Sequence, residues 1–256
     1  MRIAITRPIP PTLAQCELTH LEREPIDVAR AEPQHARYEA LLEELGCTIR
    51  RLPLRAEFPD SVFVEDAAVV TDAVAVITRP GAASRRGETA DVAEALRDYR
   101  ELAFIEEPGT VDGGDVLRVG TRWFVGRSAR TNDEGIRQLR RFIPAEPVDF
   151  RGCLHLKSAV TAVGDDRFIL NPEWVDREGQ TILSGRRDGQ TRLSVLHVDP
   201  AEPFAANVLL LGDIIISGLY PRTVEQLVAA GLDVRTVDAS ELAKAEGGVT
   251  CCSIIV

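Results

Sequence analysis

The sequence predicts an α/β fold of five repeated hairpin-plus-helix units that close into a propeller-like ring. Four internal segments repeat the order of a polar residue, a β-hairpin and, in most cases, a helix, and the two chain ends supply the parts of a fifth unit. Repeats of roughly 40 to 50 residues are typical of such arrays. Closure of the ring by both termini would remove free chain ends and exposed sheet edges. The alternative is an ordinary α/β sandwich whose hairpins resemble one another by accident.

The four internal hairpins are predicted from paired apolar runs that flank a short turn, as at Thr71-Asp72. Their strands are expected at 67–70 with 74–77, 116–119 with 123–125, 159–163 with 168–170, and 208–211 with 214–216. The turn of the third hairpin is expected at Gly164-Asp165. Apolar spacing predicts helices over 88–99 and about 223–230, and a third that Thr131 or Asn132 caps and that runs through Phe142.

The fifth unit combines the C-terminal residues 252–256 with a neighbouring N-terminal strand over 3–6. Its helix is expected over 33–45, because Pro33 suits an early helix position and Gly46 suits the C-terminal cap. No linker rich in Pro, Gly or Ser divides the chain, so residues 1–256 are expected to form a single domain.

Composition excludes several classes of function. The net charge of −10 argues against general nucleic-acid binding, favours solubility and weakly favours cationic ligands, although a solvated acidic surface is the plainer explanation. No apolar run is long enough to span a membrane, and the N-terminus is too short for a signal peptide, so a cytoplasmic protein is expected. Five cysteines at scattered spacings, without a zinc-type cluster, are expected to be reduced thiols.

Five polar residues open the predicted units, and a ring would bring them to one central cleft. They are Asp66, Asp115, His155, Asn207 and Cys251. A cysteine nucleophile with a histidine distant in sequence is the pattern expected of a thiol enzyme. If Cys251 and Cys252 lie in a strand, their side chains point to opposite faces, so that one faces the cleft. The alternatives are a buried apolar thiol for Cys251 and a hydrogen-bonded core histidine for His155.

Acidic residues cluster before two of the hairpins. Asp60, Glu65 and Asp66 surround an apolar Val-Phe-Val centre that does not resemble a calcium loop, and a pocket for a guanidinium or ammonium group fits better. Asp112 precedes a double glycine, where a plain turn with solvated acids is the alternative. Arg85 and Arg130 follow hairpins and could hold a substrate carboxylate, although arginines there are more often surface residues.

These residues together resemble the dimethylarginine dimethylaminohydrolase family of guanidine-modifying penteins. The similar segments are 27–32, 59–66, 77–82, 111–117, 124–126, 130–132, 154–158 and 249–253. The resemblance implies a five-unit α/β propeller that hydrolyses asymmetric dimethylarginine and monomethylarginine to citrulline, releasing dimethylamine or methylamine. It implies Cys251 as nucleophile, His155 as its acid and base, and Asp112 as the residue that orients His155.

The resemblance also implies the residues that contact the substrate. They are Leu18, Asp60, Glu65, Asp66, Arg85, Arg130 and the backbone near Ala245. Asp60 and Asp66 are expected at the guanidinium end, and Arg85 and Arg130 at the amino-acid end. No cofactor or metal is expected, the partner is a small molecule, and the chain is a monomer or a homodimer. Residues 10–27 hold Leu18 and read as a loop, so they are a candidate lid.

Three other functions remain open at this stage. An arginine or agmatine deiminase shares the cysteine, histidine and acids but releases ammonia. A non-catalytic protein that binds cationic amino acids belongs to a different class, and turnover would exclude it. A redox or metal-binding role for Cys251-Cys252 would be supported by tight metal binding without turnover.

Overall fold

The chain forms five small three-stranded sheets in a computed structural model that describes residues 2–185 and 192–256. Residues 1 and 186–191 of the predicted single domain lie outside the described residues. The strands are β1 (Arg2–Thr6), β2 (Cys47–Arg51), β3 (Ala68–Val70), β4 (Val74–Ile77), β5 (Glu101–Phe104), β6 (Val116–Val119), β7 (Arg122–Arg127), β8 (Glu146–Asp149), β9 (Val160–Gly164), β10 (Arg167–Leu170), β11 (Ser194–His197), β12 (Val208–Leu211), β13 (Ile214–Ser217), β14 (Asp233–Thr236) and β15 (Ile254–Ile255). The sheet orders are β15-β1-β2, β3-β4-β5, β6-β7-β8, β9-β10-β11 and β12-β13-β14.

Each sheet repeats one pattern. The middle strand is antiparallel to the first strand and parallel to the third. In four sheets the antiparallel pair is a hairpin followed by a crossover, and in the fifth it joins the two chain ends. A parallel partner needs such a crossover, and a helix supplies it in each unit. The helices are α1 (Val28–Glu44), α2 (Thr89–Leu96), α3 (Asp133–Leu139), α4 (Leu156–Ala159), α5 (Arg177–Ser184), α6 (Pro221–Ala229) and α7 (Ser240–Ala243).

The first strands of the five sheets surround one central cavity. Residues of β3, β6, β9, β12 and β15 all line this cavity of about 410 Å³. Glu65, Lys157 and Thr250 belong to the same lining. The apolar core lies around the ring rather than on its axis, and Phe124 of β7 and Phe168 of β10, for example, share one buried cluster. The five-unit α/β propeller that the sequence predicts is therefore confirmed.

The two chain ends close the ring as expected. β1 pairs antiparallel with β15, with Ala4 opposite Ile255, and parallel with β2, with Arg2 opposite Cys47. The prediction that Cys252 begins the last strand is wrong, because β15 starts only at Ile254. Both cysteines lie in the preceding turn, which the Cys251 N–H closes by donating to the Gly248 carbonyl at 3.2 Å.

The third strand of each unit is not predicted from the sequence. These strands are short and border the sheets, and several are half-exposed, such as β14, whose residues are Asp, Val, Arg and Thr. Edge strands of this kind lack the strong apolar alternation on which a strand prediction depends. The unit is therefore a hairpin, a helix and a parallel strand.

Helix α1 begins earlier than predicted. It starts at Val28, because the Asp27 side chain accepts the Arg30 N–H at 3.2 Å and caps the helix there. Pro33 consequently lies inside the helix rather than near its start. The C-terminal end lies one residue before the predicted one, since the helix ends at Glu44 with Leu45 as its cap, and Gly46 follows with a φ of +87°.

Several other boundaries differ by a few residues, and helix α6, for example, runs over Pro221–Ala229 where about 223–230 is predicted. Helix α3 is capped by Asn132, one of the two predicted caps, but ends at Leu139 and leaves Phe142 outside. Helix α2 occupies the centre of the predicted 88–99 segment. The turn of the third hairpin follows Gly164 instead of including it, because Gly164 is the last residue of β9. In the described ranges, no helix is both long enough and apolar enough to pass through a bilayer.

Candidate active site

The structure brings together the polar residues that open the units. Asp66 precedes β3, His155 precedes α4 and β9, and Cys251 lies in the turn before β15. All three are buried. Since the first strands surround one axis, the residues before them meet at one end of the ring.

His155 lies between two carboxylates. Its Nε2 is 3.0 Å from Asp112 Oδ2, within hydrogen-bond distance, and its Nδ1 is 3.6 Å from Asp66 Oδ1. Burial alone would lower the pKa of the imidazole, but Asp66 and the hydrogen bond to Asp112 outweigh it and raise the pKa of His155 to about 9. The imidazole therefore carries a positive charge at neutral pH and can donate a proton.

Asp66 is held as an anion on three sides. Arg85 Nη1 donates to its Oδ2 at 2.7 Å, and the Gly114 N–H donates to its Oδ1 at 2.9 Å. Burial opposes ionisation, but His155 and Arg85 prevail and lower the pKa of Asp66 to about 2. A side chain at Gly114 would place its Cβ 2.5 Å from His155 Nδ1, so this contact requires glycine.

The Cys251 thiol is buried and lies in an acidic environment. Its Sγ accepts the Gly248 N–H at 3.4 Å and lies 3.8 Å from Thr250 Oγ1. Burial, with the nearby carboxylates of Glu65 and Asp66, raises the pKa of Cys251 to about 12. In this state the residue is a neutral thiol at neutral pH, and it needs a positive charge nearby to ionise.

Glu65 contacts Lys157 and Thr250, which the sequence does not single out, and Thr250 in turn bonds to Asn207, which the ring predicts at the cleft. Lys157 Nζ donates to its Oε1 at 2.5 Å, and Thr250 Oγ1 donates to its Oε2 at 2.8 Å. Asn207 in turn donates to Thr250 Oγ1 at 3.0 Å and accepts the Thr250 N–H at 3.2 Å. Lys157 could have been suspected, since it follows His155 by two positions in an otherwise apolar segment.

Arg85 is buried and its nitrogens already have partners in the protein. Besides Asp66, they donate to Glu88 at 2.9 to 3.2 Å and to the carbonyls of Asp60 and Phe63. This arrangement differs from a surface arginine, and it places Arg85 beneath the carboxylates of the site. Glu88 is a further residue that the sequence reasoning missed.

The predicted substrate contacts Asp60 and Arg130 both bond to residues 17–19, the segment that contains Leu18. Asp60 accepts the Glu17 N–H at 3.1 and 3.3 Å, and Arg130 Nη2 donates to Thr19 Oγ1 at 3.2 Å. Arg130 Nη1 is buried without a hydrogen-bond partner. Leu18 packs against a core cluster that also contains Ala245 and Cys251.

Asp115 opens a unit but does not face the reacting groups directly. Its carboxylate accepts Ser128 Oγ at 2.6 Å and the Leu156 N–H at 2.9 Å, so it anchors the start of α4 beside His155. Burial raises the pKa of Asp115 to about 6. The acid that contacts His155 is Asp112, as the resemblance implies.

A metal ion has one candidate set of ligands among the described residues. Asp66, Asp112 and His155 offer ligand atoms within 4.8 Å of one another. These atoms already pair with each other and with Arg85, so the same contacts account for their arrangement without an ion.

Comparisons with known proteins identify relatives of the whole chain. It is 40% identical over 261 aligned positions to the N(G),N(G)-dimethylarginine dimethylaminohydrolase of Streptomyces coelicolor, covering 98% of this chain and 95% of that protein. The enzyme of the same name from Pseudomonas aeruginosa is 36% identical over 237 positions, or 89% of each chain. A solved structure of a mutant of the Pseudomonas aeruginosa enzyme, complexed with citrulline, superposes with a TM-score of 0.88 at 34% identity, covering 99% of this chain and 98% of the other. No family model matches the chain.

Proposed function

The chain belongs to the dimethylarginine dimethylaminohydrolase family, and from this premise we propose that Cys251, His155 and Asp112 carry out its reaction. The chain hydrolyses asymmetric dimethylarginine, and monomethylarginine, to citrulline with release of dimethylamine or methylamine. The reaction passes through a covalent cysteine intermediate. The observation that carries the residue assignment is that the buried His155 imidazole contacts Asp112 and Asp66, and that the Asp66 carboxylate acts on the buried Cys251 thiol.

The substrate cation binds the acidic part of the site. The Asp66 carboxylate is ionised and fixed by Arg85, so it can orient the planar guanidinium through a charge-assisted hydrogen bond. Glu65 and Asp60 contribute further negative charge at this end. Held in this way, the guanidinium carbon faces the thiol of Cys251.

The amino-acid end of the substrate binds Arg130. Its buried Nη1 has no partner in the protein and suits a substrate carboxylate. Leu18 and the backbone near Ala245 remain predicted substrate contacts, and Leu18 packs against the cluster that contains Ala245. That Arg85 also contacts this end stays a prediction, and its present contacts support a role through Asp66.

Substrate binding helps to generate the nucleophile. Glu65 and Asp66 disfavour the thiolate in the free enzyme, and the bound guanidinium neutralises their effect. The thiol proton then leaves to solvent, and the thiolate adds to the guanidinium carbon to give a neutral tetrahedral adduct. His155 donates its proton to the dimethylamino nitrogen, the C–N bond breaks, and dimethylamine leaves a cationic thiouronium.

The second half of the reaction uses the same histidine as a base. Neutral His155 removes a proton from water, and the hydroxide adds to the thiouronium carbon. The C–S bond then breaks, which regenerates the thiolate, and loss of the hydroxyl proton gives citrulline. That proton ends on the released amine as an ammonium ion, and the Cys251 thiolate takes a proton back from solvent when the products leave. Asp112 keeps the imidazole oriented in both halves.

We also propose that residues 1–256 act as one catalytic domain. The pairing of β1 with β15 supports it, because both chain ends belong to the same sheet. The substrate is a small molecule, and the site is built from residues of a single chain.

The test is the release of citrulline and dimethylamine from asymmetric dimethylarginine, with arginine as the comparison substrate. Equimolar products are expected, and Cys251→Ser should abolish them while Cys252→Ser reduces the rate only mildly. Cys252 is the matched control because it is the neighbouring buried thiol. If only the Cys252 variant lost activity, the assignment of the nucleophile to Cys251 would be wrong. Release of citrulline from arginine but not from asymmetric dimethylarginine would indicate a deiminase.

A further inference from the structure

Glu246 has an unusual backbone conformation close to the active site. Its φ is +57°, and it is the one non-glycine residue with positive φ among residues 2–185 and 192–256. A glutamate in this left-handed region is disfavoured and keeps the conformation only where its surroundings hold it there. Glu246 follows Ala245 and precedes the Gly247-Gly248 turn that leads to Cys251.

The strained backbone directs the Glu246 carboxylate onto three consecutive amides. Oε2 accepts the Thr19 N–H at 2.9 Å, and Oε1 accepts the N–H groups of His20 at 2.5 Å and Leu21 at 2.7 Å. Successive N–H groups that converge on an anion form a strong binding site for it. These bonds join the nucleophile turn to a segment more than two hundred residues away in sequence.

The segment held by Glu246 directly follows Leu18, a predicted substrate contact, and its Thr19 side chain bonds to Arg130. Asp60 holds the Glu17 N–H on one side of Leu18, and Glu246 holds Thr19 on the other. Thr19 Oγ1 also accepts from Arg130 Nη2, which leaves Nη1 as the unpartnered nitrogen. Asp60 and Glu246 thus bond to the backbone on either side of Leu18, and Thr19 links this backbone to the Arg130 guanidinium.

We propose that Glu246 is a positioning residue that latches residues 19–21 over the site and thereby places Leu18 and Arg130 for the amino-acid end of the substrate. The latch itself follows from the contacts, whereas its effect on the substrate rests on the proposed function. The positive φ also ends helix α7, where the Glu246 N–H donates to the Ala243 carbonyl at 3.1 Å and the Gly247 N–H donates to the Leu242 carbonyl at 3.0 Å. In this conformation the carboxylate reaches the three amides.

The latch is tested first without substrate, by hydrogen exchange of the Thr19, His20 and Leu21 amides. Glu246→Gly removes the carboxylate and also relieves the positive φ, which offsets part of the stability lost with the three hydrogen bonds. We expect these amides to exchange about 10- to 100-fold faster, which is the factor expected for loss of hydrogen bonds to a charged acceptor. Glu246→Gln, which keeps one acceptor oxygen, should give an intermediate rate.

The matched control is Glu24→Gln, which removes a charge from an exposed glutamate three residues after Leu21. It should leave the three amides unchanged. A second readout is tryptic cleavage after Arg23, whose guanidinium donates to the Ala14 and Cys16 carbonyls and tethers the same segment. Cleavage should be faster in Glu246→Gly than in the parent chain or in the Glu24 variant.

The effect on the substrate is tested by steady-state kinetics. Glu246→Gly should raise KM for asymmetric dimethylarginine about tenfold and change kcat by less than about threefold, because the lost positioning acts on binding rather than on the reacting atoms. Unchanged amide exchange in Glu246→Gly would overturn the latch. Faster exchange with an unchanged KM would overturn the positioning role. A parent chain that releases no citrulline would contradict the proposed function, while the exchange result would still decide the latch.

Discussion

Arg85 and Asp66 form an ion pair in which Nη1 lies 2.7 Å from Oδ2 and both side chains are almost wholly buried. Removing one partner of such a pair leaves a buried charge uncompensated. The charge and position of the Asp66 carboxylate therefore depend on Arg85.

Replacing Arg85 should destabilise the fold as well as the site. We expect Arg85→Met to lower the free energy of unfolding by about 3 to 5 kcal/mol, the usual cost of breaking a buried ion pair from one side. Urea unfolding measures it. Arg86→Met is the matched control, since Arg86 is the exposed neighbour and should change stability little. Equal midpoints for the two variants would contradict the structural role assigned to Arg85.

Asp112→Asn tests the orientation of the imidazole. The amide cannot stabilise a charged imidazole as the carboxylate does, so kcat should fall by about 10²- to 10⁴-fold with little change in KM. The pKa of His155 should also fall, which NMR titration of the ring protons would show. An exposed acid such as Asp72 provides the control in Asp72→Asn. An unaltered histidine titration would mean that Asp112 does not hold the ring.

The free thiol should react slowly near neutral pH. A pKa of about 12 for Cys251 leaves little thiolate at pH 7, so alkylation by iodoacetamide should speed up about tenfold for each pH unit between pH 7 and 10. Mass spectrometry of the labelled peptide identifies the cysteine, and Cys251→Ser supplies the blank. A rate that has already reached its plateau below pH 7 would contradict the idea that the substrate cation helps to generate the thiolate.

The charge on His155 should make stability depend on pH. Its folded pKa of about 9 is above the unfolded value of about 6.5, so its contribution is fully present below pH 6.5 and is lost as pH rises through 9. Unfolding midpoints measured between pH 6 and 10 should therefore fall over this window. In His155→Gln this component of the slope should vanish, and a slope identical to that of the parent chain would contradict it.

Arg130 should discriminate substrates by their carboxylate. Arg130→Gln should lower kcat/KM for asymmetric dimethylarginine by about 10- to 100-fold through loss of a charge-assisted pair. For the decarboxylated analogue, the same substitution should have little effect. Arg127→Gln, at an exposed arginine of the preceding strand, serves as control. An equal loss for both substrates would indicate that Arg130 acts on the fold rather than on the carboxylate.

The sequence predicts the ring and its hairpins because the first two strands of each unit are apolar and bracket short turns. The third strands escape prediction because residues such as Asp233 and Arg235 face solvent at a sheet edge, where burial does not select an apolar pattern. The start of α1 was missed for another reason. Pro33 suggests a beginning, but the bond between the Asp27 side chain and the Arg30 N–H decides where the helix starts.

The candidate site is predicted unevenly for similar reasons. Cys251, His155 and Asp66 stand out because polar residues open apolar units, and the resemblance singles out Asp112. Glu246 does not stand out, because its role depends on partners far away in sequence. A charged residue in a loop has no local signal that distinguishes an ion pair beneath a pocket from a solvated side chain.

The pairing of β1 with β15 has a consequence for how the protein is made. Ala4 emerges early during synthesis, but its partner Ile255 is added only after the other four units. Until then β1 has only its parallel neighbour β2, and contacts between residues so far apart in sequence form slowly. We therefore expect ring closure to be a late step of folding. Cys251, in the turn before β15, would then come close to His155 and Asp66 only after the other four units have formed.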